Sequence, residues 1–133
     1  LLDQYPLGAG VGRWGMMNTY FGNPFDDAAP PIYVEIQLTG WLLDGGMLMW
    51  LIYGGAILGS LWYAFTLTAA PDEHLSEVAI IVLTLQAHIL VMAMGAPVFN
   101  TQQGILFWAL AAMLHGARHA MIAYGPDQPG AAG

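Results

Sequence analysis

Three histidines lie in or beside long apolar runs of this chain, and an ionisable side chain inside a bilayer is costly enough to raise a functional question. His88 and His115 fall near the middle of their runs, so two facing helices would offer them as ligands to a haem or bacteriochlorophyll. A plainer reading stands beside it. Trp108, Ala112, His115 and His119 share one helical face, which equally describes an inter-helix contact lined by small residues and hydrogen-bonding imidazoles. A second centre is the stretch PLGAGVGRWG, in which Gly8, Gly10 and Gly12 expose backbone N–H groups to an anion and Arg13 adds a fixed charge. It lacks the lysine and hydroxyl of a GxxxxGK[ST] nucleotide loop and does not join a strand to a helix. Contact between Arg13 and a phosphate or diphosphate remains open, as does a purely structural loop.

These residues must be held by membrane helices. The run from Met47 to Ala69 contains no charged side chain, and about 20 helical residues cross the ~30 Å hydrocarbon core of a bilayer. Two further runs, 77–94 and 104–124, are candidate spans, the first with an interior Gln and His, the second with two His and an Arg. With 57% hydrophobic against 8% charged residues, and no lysine, too little charge is left to coat a soluble helical domain. The expected fold is an all-α membrane protein of about three transmembrane helices (47–69, 77–94, 104–124), preceded by an interfacial loop with a short helix over 1–45. A disordered Gly- and Pro-containing tail is expected over 125–133.

The N-terminal loop is punctuated by glycine and proline, with room for a short helix around Trp14 to Tyr20. Its aromatic residues, Trp14 among them, suit the membrane interface. The segment IYVEIQLTGWLLDGG is helix-competent, ending at Gly45-Gly46 or continuing through them. On that helix Glu35 and Thr39 fall together while Gln37 and Asp44 share an opposite flank, which suits a protein-lined or wet setting better than lipid. Gly55 and Gly59 form a small-xxx-small pair, readable as a helix-docking groove or as the ordinary glycine content of membrane helices.

Composition excludes other classes. A net charge of −7, with Arg13 and Arg118 the only cations, repels phosphate backbones and removes nucleic-acid binding. The absence of cysteine removes disulfides, thiolate metal sites and thiol nucleophiles. Arg118, near the end of the third run, places that end in the cytoplasm by the positive-inside rule, and counting back puts the N-terminal loop outside. The chain starts at Leu1 without a signal-peptide pattern, so a processed or truncated protein is expected, completed by further N-terminal spans or partner subunits.

The order YPLGAGVGRWG, then an aromatic and polar loop, then YVEIQLTGWLLDGGMLMWLIYGGAILG resembles the C-terminal part of the bacterial O-antigen ligase and polymerase-like membrane proteins, over roughly Tyr5 to Tyr63. The resemblance implies a multi-pass inner-membrane protein that transfers a polyprenyl-diphosphate-linked glycan to an acceptor hydroxyl without a metal. It gives Arg13 the donor diphosphate. The histidine that such ligases use as base would be expected near Pro31 to Gln37, where none occurs. Glu35 stands there instead, as a base if partial burial raised its pKa, or as a hydrogen-bonding partner of the loop. The rival class is a small accessory subunit of a larger membrane complex, carrying pigment or haem through His88 and His115. A transporter or channel fragment is a third reading.

Overall fold

Between Gln37 and Tyr124 prolines occur only at positions 71 and 97, and both sit in connections, where their missing N–H and fixed φ break no helix. The computed structural model describes residues 5–10, 14, 20, 32, 34 and 36–124. Three helices carry it: α1 (Gln37–Leu67), α2 (Glu73–Ala93) and α3 (Gln102–Tyr124), with a short 3-10 turn, Val98–Asn100, between the last two. All three are long and apolar enough to cross a membrane. The chain is an all-α, multi-pass membrane protein.

Short connections make successive helices antiparallel, and α2 packs along both neighbours while α1 and α3 meet less. At the end of the bundle near the 68–72 turn, the interior holds Ala64, Leu67, Leu75, Ala79, Val82, Leu110 and Leu114. At the opposite end it holds Trp41, Ile57, Ile89, Ala93, Val98 and Phe107. Leu48, Leu51, Ile52, Leu58, Trp62 and Phe65 are exposed on α1. In water such a surface would be costly; in lipid it is the expected outer face, and the helices associate through close packing and hydrogen bonds.

One interior group ties all three helices together. Gln86 is fully buried, and its Nε2 donates to Ser60 Oγ on α1 at 2.9 Å and to the Phe107 carbonyl on α3 at 3.2 Å. Its Oε1 has no hydrogen-bond partner.

Boundaries differ from the sequence expectation in two places. The second helix starts at Glu73 instead of 77, because the Asp72 carboxylate accepts from Leu75 N at 2.8 Å and caps it. Helix α1 starts at Gln37, ahead of the expected span at 47 and within the segment read as helix-competent, and bends at Gly45-Gly46. Of the short helix expected around Trp14 to Tyr20, Tyr20 is helical but Trp14 pairs with Ile32 in an isolated parallel β-bridge. The tail over 125–133 lies outside the described residues.

Candidate functional site

The bend in α1 is a true interruption. Gly45 (φ −140°, ψ 21°) and Gly46 (φ 64°, ψ −161°) both leave the helical region, so 37–44 and 47–67 are two helices in series. Such a break frees carbonyls before it and N–H groups after it, and these need partners where water is scarce.

The glycine loop over 5–10 fills the break. A Cβ on Gly8 would come within 2.7 Å of the backbone nitrogens of Gly45 and Gly46, and one on Gly46 within 2.6 Å of the Pro6 carbonyl oxygen. Backbone meets backbone here, which only paired glycines permit. Ala9 N–H donates to the Leu43 carbonyl, one of the groups the break would otherwise strand.

Trp14 locks the other edge of the loop. It is only 4% exposed, its indole lies where a side chain on Gly40 would be, and its Nε1–H donates to Asp44 Oδ1 at 2.8 Å. Gly40 and Asp44 stand four residues apart on one helical face, a notch with a hydrogen-bond acceptor at its lip. The Trp14 ring is thus buried against α1. At the start of the same helix, the fully buried Gln37 accepts from Phe99 N at 3.0 Å and reaches Asn100 at 3.4 Å, holding the 3-10 turn. Trp41, Tyr53 and Phe99 then stack edge to face, with Trp108 Nε1–H donating to the Tyr53 hydroxyl at 2.9 Å.

The residues singled out by sequence fare differently. Gly8 and Gly10 belong to this loop with φ of 86° and 97°. The Gly8 N–H is not open to an anion, because it donates to the Tyr5 carbonyl at 3.1 Å. Close approach to the helix break is what requires glycine there. Gly12, Arg13 and Glu35 lie outside the described residues. The isolated Trp14–Ile32 bridge pairs the residue after Arg13 with a position three residues before Glu35.

His88 and His115 are not brought together. Val82, Gln86, Ile89 and Ala93 form the buried stripe of α2, and at 100° per residue His88 points about 160° away from Gln86, on the exposed side. His115 instead stacks on Tyr63 of α1, ring centroids 4.1 Å apart and 10° from parallel. The two imidazoles therefore do not face one another across this bundle. His119 is exposed. Among the described residues no group of three or more His, Cys, Asp or Glu could hold a metal ion.

Asp44, Gly40 and Gln37 are the site residues that sequence reasoning missed as contacts. The signal present was local: a glycine one turn before an aspartate, on a helix running into a glycine pair. Compared with protein-family models, with curated proteins and with solved structures, the chain matches none.

Proposed function

We propose that this chain is part of a multi-pass bacterial inner-membrane protein of the O-antigen ligase or polymerase type, which transfers a glycan from polyprenyl diphosphate to an acceptor hydroxyl. The observation that carries the reading is the docking of the glycine loop into the break of α1. The two stretches on which the resemblance rests, some 30 residues apart at Trp14 and Asp44, are complementary surfaces of one unit. Irregular backbone at the end of a membrane bundle is tolerated where protein buries it or where it lines a wet cavity, the setting a reaction between a lipid-linked donor and a polar acceptor needs.

In this reading the acceptor oxygen attacks the anomeric carbon, the bond from that carbon to the diphosphate breaks, and the acceptor proton passes to the Glu35 carboxylate. The Arg13 guanidinium stabilises the departing diphosphate, with further cations supplied by other segments. Trp14, the residue that follows Arg13 in sequence, is held on α1 by its bond to Asp44.

The test replaces Arg13 and Glu35 by Ala, singly and together, in the complete protein, and measures glycan transferred to acceptor. Each single change should lower the transfer rate by about 100-fold or more. Normal product from the double variant would sink the assignment.

A further inference from the structure

At the opposite end of the bundle an arginine, a tyrosine and a histidine form a cluster that glycan transfer at the loop does not use. Tyr63 lies one turn before the end of α1, at the level where a span meets the interface. The His115 ring stacks on it, and the Arg118 guanidinium sits 5.6 Å from the ring centroid with Nη1 3.4 Å from the tyrosine hydroxyl. The aromatic ring thus orients a planar, permanently charged fork. Among the described residues no carboxylate lies within ion-pairing distance of Arg118.

From this cluster a groove of about 540 Å³ runs between α1 and α3, past Gly59, Ala112, Trp108 and Ala56. That volume falls within the ~300–1,000 Å³ of ligand pockets. A Cβ on Gly59 would meet nothing within 4 Å, so no segment of this bundle occupies the space. Ser60 also borders the groove, but its hydroxyl is engaged by Gln86. From Tyr63 to Ala56 the groove descends about 10 Å along the helix, the direction in which an acyl chain lies in a leaflet. The neighbouring α2/α3 groove differs in charge: Asp72 stands at its edge, beside Leu75 and Val78.

We propose that the α1/α3 groove binds an anionic phospholipid, with its phosphate on Arg118 beside Tyr63 and His115 and one acyl chain along Gly59 and Ala112. A guanidinium with no carboxylate beside it among the described residues, at the mouth of an apolar channel, suits an occupant that is anionic at one end and hydrocarbon at the other. A second helix would fill the channel and leave the cation unanswered.

The test is native mass spectrometry of the purified full protein released from detergent after incubation with dioleoyl-phosphatidylglycerol, dioleoyl-phosphatidylcholine or glycerol 3-phosphate. Phosphatidylglycerol should be retained about fivefold over phosphatidylcholine, the factor contributed by one interfacial basic residue. Arg118→Gln should bring the two lipids level by lowering phosphatidylglycerol alone, and Gly59→Leu should lower both. Glycerol 3-phosphate should displace neither. Equal retention of the two lipids by the unaltered protein overturns the proposal without recourse to a variant. So does displacement of phosphatidylglycerol by glycerol 3-phosphate, which would mark a free-phosphate site. A dimer that Gly59→Leu dissociates would assign the groove to a second copy of the chain and overturn it as well.

Discussion

Replacing Gly46 by Ala separates the loop from the helix break while leaving the spans alone. The new methyl would stand 2.6 Å from the Pro6 carbonyl oxygen and 2.9 Å from the Leu7 carbonyl carbon. Both are backbone atoms, so relief requires that residues 5–10 move. Gly46 also holds φ 64° and ψ −161°, a region that is essentially glycine's alone, and a side chain forced into it costs about 1–3 kcal/mol. Whether α1 twists to relieve the strain or the loop lifts away, the hydrogen bond from Ala9 N–H to the Leu43 carbonyl breaks. An energy of that size raises the open population roughly 5- to 150-fold. Amide hydrogen exchange at Ala9, measured in nanodiscs and referred to amides in the middle of α2, reports this opening directly. Gly54→Ala is the control, because its Cβ meets nothing within 4 Å. In a helix that change should be neutral or stabilising by up to about 1 kcal/mol. Unchanged exchange at Ala9 in Gly46→Ala, or equal acceleration in Gly54→Ala, would refute the reasoning.

Two further substitutions probe the ties around this unit. Trp14→Phe keeps a ring over Gly40 but loses the bond to the Asp44 carboxylate, worth about 1.5–3 kcal/mol net, so Ala9 exchange should rise about 10- to 150-fold. Trp14→Ala, which empties the notch, should cost about 3–5 kcal/mol and accelerate exchange much further; equal effects would show that the ring does not fill it. Gln86→Leu gives up bonds to Ser60 and Phe107, but also removes the unpartnered Oε1. Interhelical bonds in membranes average about 0.6 kcal/mol, so this variant should lose less than about 1 kcal/mol in reversible unfolding from mixed micelles, and less than Gln86→Ala, which opens a cavity. A Gln86→Leu loss as large as that of Gln86→Ala would show that the amide bonds carry the packing.

The three spans were legible because hydropathy over 20 residues is a property of each run by itself. Their ends were not. The apolar pattern of α2 becomes continuous only at position 77, yet the helix begins at Glu73 because a single carboxylate, Asp72, caps it. The glycine loop was legible as a loop, but its purpose was hidden in a contact with residues some 30 positions away. Gly8 looked like an exposed N–H donor and is instead the residue that lets backbone meet backbone at Gly45 and Gly46. Trp14 looked interfacial because amphipathic rings usually are; the notch at Gly40 that buries it exists only after α1 has formed. His88 shows the complementary error. Hydropathy gave its run, while its direction follows from its neighbour Gln86, whose bonds to α1 and α3 fix which side of α2 faces inward.

The two ends of the bundle solve the same backbone problem in opposite ways, and the difference bears on where function can reside. At the 68–72 turn the freed groups are closed by near neighbours: Thr68 N–H returns to Phe65, Ser76 Oγ bonds the Thr68 carbonyl, and Asp72 caps α2. A change there loosens one turn. At the other end the ties are long-range: Ala9 to Leu43, Trp14 to Asp44, Phe99 to Gln37. Three ties from two separate stretches of chain, the N-terminal segment and the 3-10 turn, therefore hold the same eight residues of α1, 37–44, and loosening one tie weakens the purchase of the others. Local closure at the turn suffices to reverse the chain direction; the linked ties do more, fixing irregular backbone in register at the membrane boundary. That rigidity is what the site proposed above would demand, because small displacements of positioned groups cost large factors in rate.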